Sequence, residues 1–344
     1  MAVITNTTTS VNGFTNVTAR EVDFVTRFGN NWQALMEILG IMRPIRKTPG
    51  TILRAYTASV ELEDGAVAEG DEIPFSLANV TEAAKADVDI KKYAKAVTLE
   101  AVSKYGADIA VQKTDDAFLA ELQGNVTDDF YAFAQTGTLG GYASNFQAAV
   151  AKALGLVRNK WKTMRKDITE VVVFANILDA YDYLGTANIT IQNRFGILYV
   201  EDFLGARIIL TSEIPSGVVI ATPVENIDLY YVDPSDSDFA RLGLEYRTDG
   251  VTNLIGFHAQ GNYGRAIGES YALMGMKLWA EYLDGIAYVE IGATPTFTAV
   301  DKSGTGYSSK NPKTEGWYEL VGTRYILSAD TTVNADKTYY TKGA

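Results

Sequence analysis

The sequence predicts an α+β fold that carries a small all-β appendage at its C-terminal end. Three observations support this reading. Helical periodicity is strongest over 107–136, where Phe118, Leu119, Leu122, Val126, Phe130 and Phe133 recur on one face. Between 169 and 233 short β-rich runs (TEVVVFAN, ARIILTSEIPSG, VVIATP, IDLYYVD) are separated by turn residues and one short helical stretch, ILDAYDYLGT. The last 29 residues, GWYELVGTRYILSADTTVNADKTYYTKGA, are crowded with aromatics and threonines and show no helical period.

In chain order, EVDFVTRFGNNWQALMEILGIM (21–42) places Phe24, Phe28, Trp32, Leu35, Met36 and Leu39 at three- and four-residue steps, weakened by Gly29. Two prolines and a glycine in MRPIRKTPGT (42–51) end that helix. Residues 51–80 read as two extended arms, with alternation from Ser59 to Glu63 and a return through Ile73, Phe75 and Leu77. Their acidic tip holds Glu61, Glu63, Asp64, Glu69, Asp71 and Glu72 and is too long for a two-residue hairpin turn. DVDIKKYAKAVTLEAVS (87–103) is expected as a strand.

The helix of 107–136 follows, with a weak point at Gly124. The helix dipole favours Asp115 and Asp116 in its N-terminal half, and Gly137 is available as a C-cap. SNFQAAVAKALGLVRNKWK (144–162) is a further helix with a basic end: Arg158, Lys160, Lys162, Arg165 and Lys166. Those cations either complement the helix's own dipole or meet an acidic surface on another copy.

DPSDSD (233–238) lacks the glycine and downstream glutamate of a calcium loop and reads as a polar turn. Residues 261–291 are expected as two long strands, with Tyr263 to Met276 mostly extended. The composition shift at 298–315 marks a linker. Beyond it, strands are expected at 317–320, 324–327 and 337–340, with Trp317, Tyr318, Tyr325, Tyr339 and Tyr340 as a packing or binding face.

Composition narrows the function. The 344 residues exceed one typical domain, and 47% hydrophobic content matches ordinary soluble globular proteins. No apolar run is long enough for a membrane helix. MAVITNTTTSVNGFTNVTAR lacks the basic start and apolar core of a signal peptide, so a polar arm is expected and the five N-x-S/T triplets carry no weight. The chain has no cysteine and one histidine, His258, which removes disulfides, thiolate zinc sites, cysteine nucleophiles and paired histidine ligands. A formal charge of -12 argues against a protein that grips nucleic acid on a basic face. No phosphate-cradling, dinucleotide-binding or nucleophile-elbow motif occurs. The expectation is a non-enzyme with no cofactor and no metal.

Taken in order, these parts resemble the Hong Kong 97-type major capsid proteins of tailed bacteriophages over residues 20–297. The stretches that carry the resemblance are LYVEDFLGARIILTSEIPSGVVIATP (198–223), with a G-x-[KR]-I-I pattern ending in I-P-x-G, and GFHAQGNYGRAIGESYALMGMKLW (256–279). The resemblance implies an N-terminal arm (1–50), an extended loop (51–82), a peripheral domain (83–137 and 261–297) and an axial domain (138–260), followed by a linker (298–315) and the appendage (316–344). It implies self-assembly as hexamers and pentamers into an icosahedral head that encloses double-stranded DNA without reading its sequence.

A portal, a separate scaffolding protein and room for a decoration protein are implied too, with assembly in the bacterial host cytoplasm and the virion as the destination. The extended loop is expected to lie across a neighbouring subunit, its acidic tip docking on Arg43, Arg46 and Lys47 or on the basic helix end. Residues 55–84 contain no lysine, so the lysine–asparagine cross-link of some members is not expected from this loop. The appendage is expected to rest on the shell surface or on neighbouring copies, because so few residues are marginal alone. The alternatives are an encapsulin-like shell around protein cargo and a soluble surface-binding module that uses the C-terminal aromatics.

Overall fold

Helices and sheets are both present in the computed structural model, which describes residues 21, 23–28, 38, 40–61, 63, 66, 75–185, 192–194, 197–203, 206–248, 252–303 and 306–343. Residues 21, 23–28, 38, 40 and 41 are helical; the rest of the helix expected over 21–42 lies outside the described residues. Strands β1 (Arg43–Lys47), β2 (Ile52–Glu61), β3 (Leu77–Asp87) and β4 (Asp89–Thr98) lead into helix α1 (Leu99–Tyr105). A π-helical turn at Asp108–Gln112 precedes the long helix α2 (Lys113–Ala134). Then come β5 (Leu139–Ala143), α3 (Phe146–Thr163), β6 (Val171–Asn176), α4 (Ile177–Leu184) and β7 (Gln192–Arg194). They are followed by β8 (Ile197–Phe203), β9 (Ala206–Thr211), β10 (Val218–Pro223), β11 (Ile227–Val232) and a short helix α5 (Ser237–Ala240). The remaining elements are β12 (Gly256–Asn262), β13 (Ile267–Ala280), β14 (Ala287–Ile291), β15 (Phe297–Ala299), α6 (Pro312–Glu315), β16 (Tyr318–Val321), β17 (Arg324–Leu327) and β18 (Tyr339–Lys342).

These elements form two compact units. One gathers the described residues within 1–26, 45–113 and 230–277, the other those within 27–44, 114–229 and 278–344. In the first unit β2 and β3 pair as an antiparallel ribbon, from Ile52 opposite Asp87 to Glu61 opposite Leu77, with a register shift at Ala55/Tyr56. Separately, β13 pairs with β12 on one side and β4 on the other, both antiparallel. The ring of Phe24 stacks on Phe257 at 4.0 Å, and Leu254, Ile255, Ala272, Leu273 and Met274 of the same unit are buried.

Two expectations are corrected here. The strand expected over 87–103 ends at Thr98, whose side chain accepts the Ala101 N–H at 3.1 Å and so starts α1. Tyr263 to Ala266 is not extended but forms the β12–β13 turn, with Ala266 at φ 50. Leu99 N–H closes that corner by donating to the Ala266 carbonyl at 3.0 Å.

In the second unit α2 buries Leu119, Leu122, Val126, Phe130 and Ala134 at three- and four-residue steps. Phe130 meets Phe174 of β6 edge-on at 5.5 Å, and the helix runs unbroken through Gly124. It ends at Ala134. Gly137 is no left-handed cap: a Cβ there would lie 2.7 Å from the Ile286 carbonyl, so close packing demands the glycine. The following residues, read from sequence as a terminator, form β5, parallel to β14.

The seven-stranded sheet has the order β5-β14-β10-β6-β9-β8-β7. Every residue of β6 and of β10 is buried, as continuous apolar strands covered on both faces should be. Helix α3, N-capped by Asn145, lays Ala149, Val150, Ala153, Leu154 and Val157 on this sheet. Each large aliphatic buried this way contributes about 1.5–3 kcal/mol.

The appendage is a second sheet of this unit, with the order β15-β18-β16-β17. Its strand β15 lies where a linker was expected: Phe297 pairs with Lys342, and Ala299 with Tyr340. Pro312 opens α6 and is buried, so the expected linker also supplies core. The last strand is Tyr339–Lys342 rather than 337–340, because Tyr340 stands opposite Tyr318.

Candidate assembly surfaces

The acidic loop tip is only partly described. Glu61 ends β2, and the exposed Glu63 donates its N–H to Ser76 Oγ at 3.3 Å. Asp64, Glu69, Asp71 and Glu72 lie outside the described residues. Just beyond the tip the ribbon presents apolar side chains to solvent: Phe75 is 94% exposed and Leu77 65%. A two-stranded ribbon is marginal by itself.

Most of the basic candidates face carboxylates or rings of their own unit. In the second unit Arg43 grips the buried Asp228 with two bonds, Nε to Oδ1 at 2.7 Å and Nη2 to Oδ2 at 3.1 Å, and reaches Glu281 at 3.5 Å. Lys160 pairs with Asp284 at 2.6 Å. Lys166 donates to Tyr282 Oη and lies 3.4 Å from Glu281; the Tyr282 hydrogen bond is the main reason its ammonium is held above the usual lysine value. In the first unit Arg46 lies 3.3 Å from the buried Asp233 and 3.6 Å from Asp236, while Lys47 sits over the Tyr230 ring at 5.1 Å. Asp236 also caps α5 within the DPSDSD turn. Arg158, Lys162 and Arg165 have exposed side chains at the end of α3. Arg158 and Lys162 stand at i and i+4 on one helix face.

The appendage is anchored to the body of its own unit. In the turn joining β16 to β17, Thr323 N–H donates to the Thr138 carbonyl at 3.1 Å, and Thr323 Oγ1 accepts the Gly140 N–H at 2.9 Å. One residue thus blunts the outer edge of β5. Arg324 donates from Nη1 to the Gln135 carbonyl and, at 3.1 Å, to the Gly137 carbonyl, both just past the C-terminus of α2. A cation there also complements the helix dipole. Its guanidinium lies 3.3 Å from the centre of the Tyr288 ring, and its backbone sits so near Gly140 that a Cβ there would be 2.7 Å from Arg324 Cα. Burial pushes the Arg324 guanidinium down, and burial reinforced by Glu290 pushes the Tyr142 phenol up to about 12.

The expected aromatic face divides in two. Trp317 and Tyr339 are buried, with Tyr307 stacked on Trp317. Tyr325 stacks on Phe297 at 3.8 Å, and Tyr318 and Tyr340 meet that pair edge-on. A polar knot holds the turn side: Lys337 bridges Glu319 and Asp330, each at 2.9 Å, and Tyr339 Oη donates to Asp330 at 2.7 Å. These hydrogen bonds raise the Lys337 ammonium, Glu319 contributing most.

Among the described residues no helix is long and apolar enough to cross a membrane, and no group of three histidine, aspartate or glutamate side chains is placed to hold a metal ion.

No family model matches the sequence, and no curated protein matches it. Solved structures do match. The mature capsid of bacteriophage PhiM1 aligns at a TM-score of 0.51 with 8% identity, covering 75% of this chain and 87% of that one. A structure from Mycobacterium phage Patience aligns at 0.50 with 10% identity, covering 80% and 88%. The capsid of cyanophage A-1(L) aligns at 0.50 with 11% identity, covering 74% and 92%. The chain has the Hong Kong 97-type capsid fold.

Several surface features of the chain are not evident from the sequence. Phe75 lies on the returning arm and Leu99 in the run expected as a strand; both are exposed. Tyr263, at the β12–β13 turn, is fully exposed. Thr323 and Arg324 look like ordinary strand and turn residues until their partners near residue 138 are known. No local pattern announces either contact.

Proposed function

We propose that the chain is the major capsid protein of a tailed bacteriophage, assembling as hexamers and pentamers into the icosahedral head that encloses double-stranded DNA. The observation that carries the proposal is the fold: the chain contains a two-stranded ribbon, a long helix and a seven-stranded sheet, and three quarters of it aligns with a mature phage capsid structure. The exposed Phe75 and Leu77 support it, since large apolar side chains in solvent suit an interaction surface. The charge of -12 supports it as well, because an acidic shell does not hold packaged DNA by its phosphates.

On this reading the ribbon lies on a neighbouring subunit, and its acidic tip is met by the basic end of α3 (Arg158, Lys160, Lys162, Arg165 and Lys166) or by Arg43, Arg46 and Lys47. Arg43 and Arg46 are weaker docking points, because engaging them means competing with the buried Asp228 and Asp233. Exposed ion pairs contribute about 0–1 kcal/mol each, so their role is register and specificity rather than bulk affinity. The chain acts without enzymatic activity. It works with a portal, a separate scaffolding protein and, where present, a decoration protein, assembling in the host cytoplasm and residing in the virion.

The contents of purified particles test the proposal. Nuclease-resistant double-stranded DNA in particles from the native source is the expected result. Particles filled with a cargo enzyme and free of DNA would replace this reading with a protein-storing compartment of the same fold.

A further inference from the structure

We propose that the N-terminal segment VNGFTNV (11–17) docks in an apolar groove of its own chain, with Phe14 as its anchor. The groove, about 420 Å³, is lined by Val97, Leu99, Val102 and Ile267 and by the turn through Asn262 and Tyr263. It lies where β4 passes into α1 beside the β12–β13 turn, and Leu99 at its mouth is 62% exposed.

The direction of the chain identifies the occupant. Phe24 stacks on Phe257, and three residues earlier Glu21 reaches Ala259: its Oε1 accepts the Ala259 N–H at 2.8 Å and lies 3.3 Å from His258 Nδ1. Moving back from residue 24 to 21 therefore moves forward along β12, from 257 to 259. The next residues of β12 in that direction, Gly261 and Asn262, line the groove. The buried Glu21 fixes the point from which residues 1–20 depart.

Reach and chemistry agree with this heading. Ala259 and Asn262 are about 10 Å apart along the strand. Val17 can lie up to about 14 Å from Glu21 along an extended chain, and Phe14 up to about 24 Å. Between Thr5 and Thr18 the sequence is TNTTTSVNGFTNVT, in which Val11, Phe14 and Val17 are the large apolar residues, three positions apart. An isolated phenylalanine in a polar tract, delivered to an apolar groove by a buried anchor, gains by burial there.

The cysteine-free chain permits a direct test in the full-length protein. The double variant Phe14→Cys/Leu99→Cys is oxidised and run without reductant, beside a mixture of the two single variants. The proposal predicts a monomer-sized band of shifted mobility from the double variant, and little cross-linking between the mixed single variants. Cross-linked dimers or ladders, from either sample, would assign the groove to a second copy and overturn the placement. Absence of any cross-link would overturn it as well. Hydrogen exchange gives an independent readout: Leu99→Asp should abolish the amide protection of residues 11–17, and unchanged protection contradicts the proposal.

Discussion

Replacing Arg324 with alanine isolates the contact that joins the appendage to the body of its unit. The side chain makes two hydrogen bonds to carbonyls at the end of α2, and its cation lies over the Tyr288 ring. Charge-assisted hydrogen bonds contribute about 1.5–3 kcal/mol each, and a partly desolvated cation–π contact about 0.5–2 kcal/mol. Desolvation of the half-buried guanidinium offsets part of that sum, and its Nε has no hydrogen-bond partner among the described residues. The net loss expected for Arg324→Ala is about 3 kcal/mol. For a unit of this size that corresponds to a fall of about 6–12 °C in Tm. Arg324→Lys keeps the charge but not the planar fork, so it should lose about half as much. Thermal unfolding of the unassembled chain, followed by tryptophan emission, measures both variants; Trp161 and Trp317 both lie in this unit. A Tm within 1 °C of the parent for Arg324→Ala would refute the reasoning, because it would mean that the latch contributes nothing to stability.

Four further outcomes are expected. Reversing Glu69, Asp71 and Glu72 to lysine should impair assembly while leaving the Tm of the unassembled chain unchanged; normal particles would contradict the docking model. Phe130→Ala should cost about 3–5 kcal/mol in denaturant unfolding, since the ring is fully buried against Phe174. Asp128 faces Glu213, and partial burial followed by that like charge raises its carboxyl above the ordinary 3.8. A raised acid loses stability as pH climbs through its folded value, so Asp128→Asn should raise Tm slightly at pH 7 and not below pH 3.8, a trend that paired melts at the two pH values will read. Glu269 behaves oppositely: hydrogen bonds from Tyr271, Gln260 and Asn262 lower its carboxyl from 4.5 to about 2. Its contribution to the β12–β13 hairpin is present above pH 4.5 and fades as pH falls towards 2, so the penalty of Glu269→Gln, read by hydrogen exchange, should shrink over that window.

Helix α2 was legible because its buried residues keep a strict helical period, and β6 and β10 because uninterrupted apolar runs suit strands covered on both faces. What the sequence hid depends on partners far away in the chain. LGGYA reads as a helix stop, yet Gly140 is there to admit the Arg324 backbone and the strand exists because β14 lies beside it. The Arg324–Gln135 bond spans 189 positions. The strand β15 at the start of the expected linker is hidden for the same reason: three residues leave no periodic trace, and only pairing with β18 defines them. The basic group at the end of α3 was visible as a cluster. That Lys160 and Lys166 are bound to their own unit needed the positions of Glu281, Tyr282 and Asp284.

The proposed shell-forming role is tested most directly by electron microscopy of the purified full-length chain, alone and with the proposed scaffolding protein. The account predicts closed hollow particles whose reconstruction shows hexamers and pentamers, with each β2–β3 ribbon lying on an adjacent subunit. A chain that stays monomeric or forms only small oligomers, with the scaffold present as well as without it, would contradict the account.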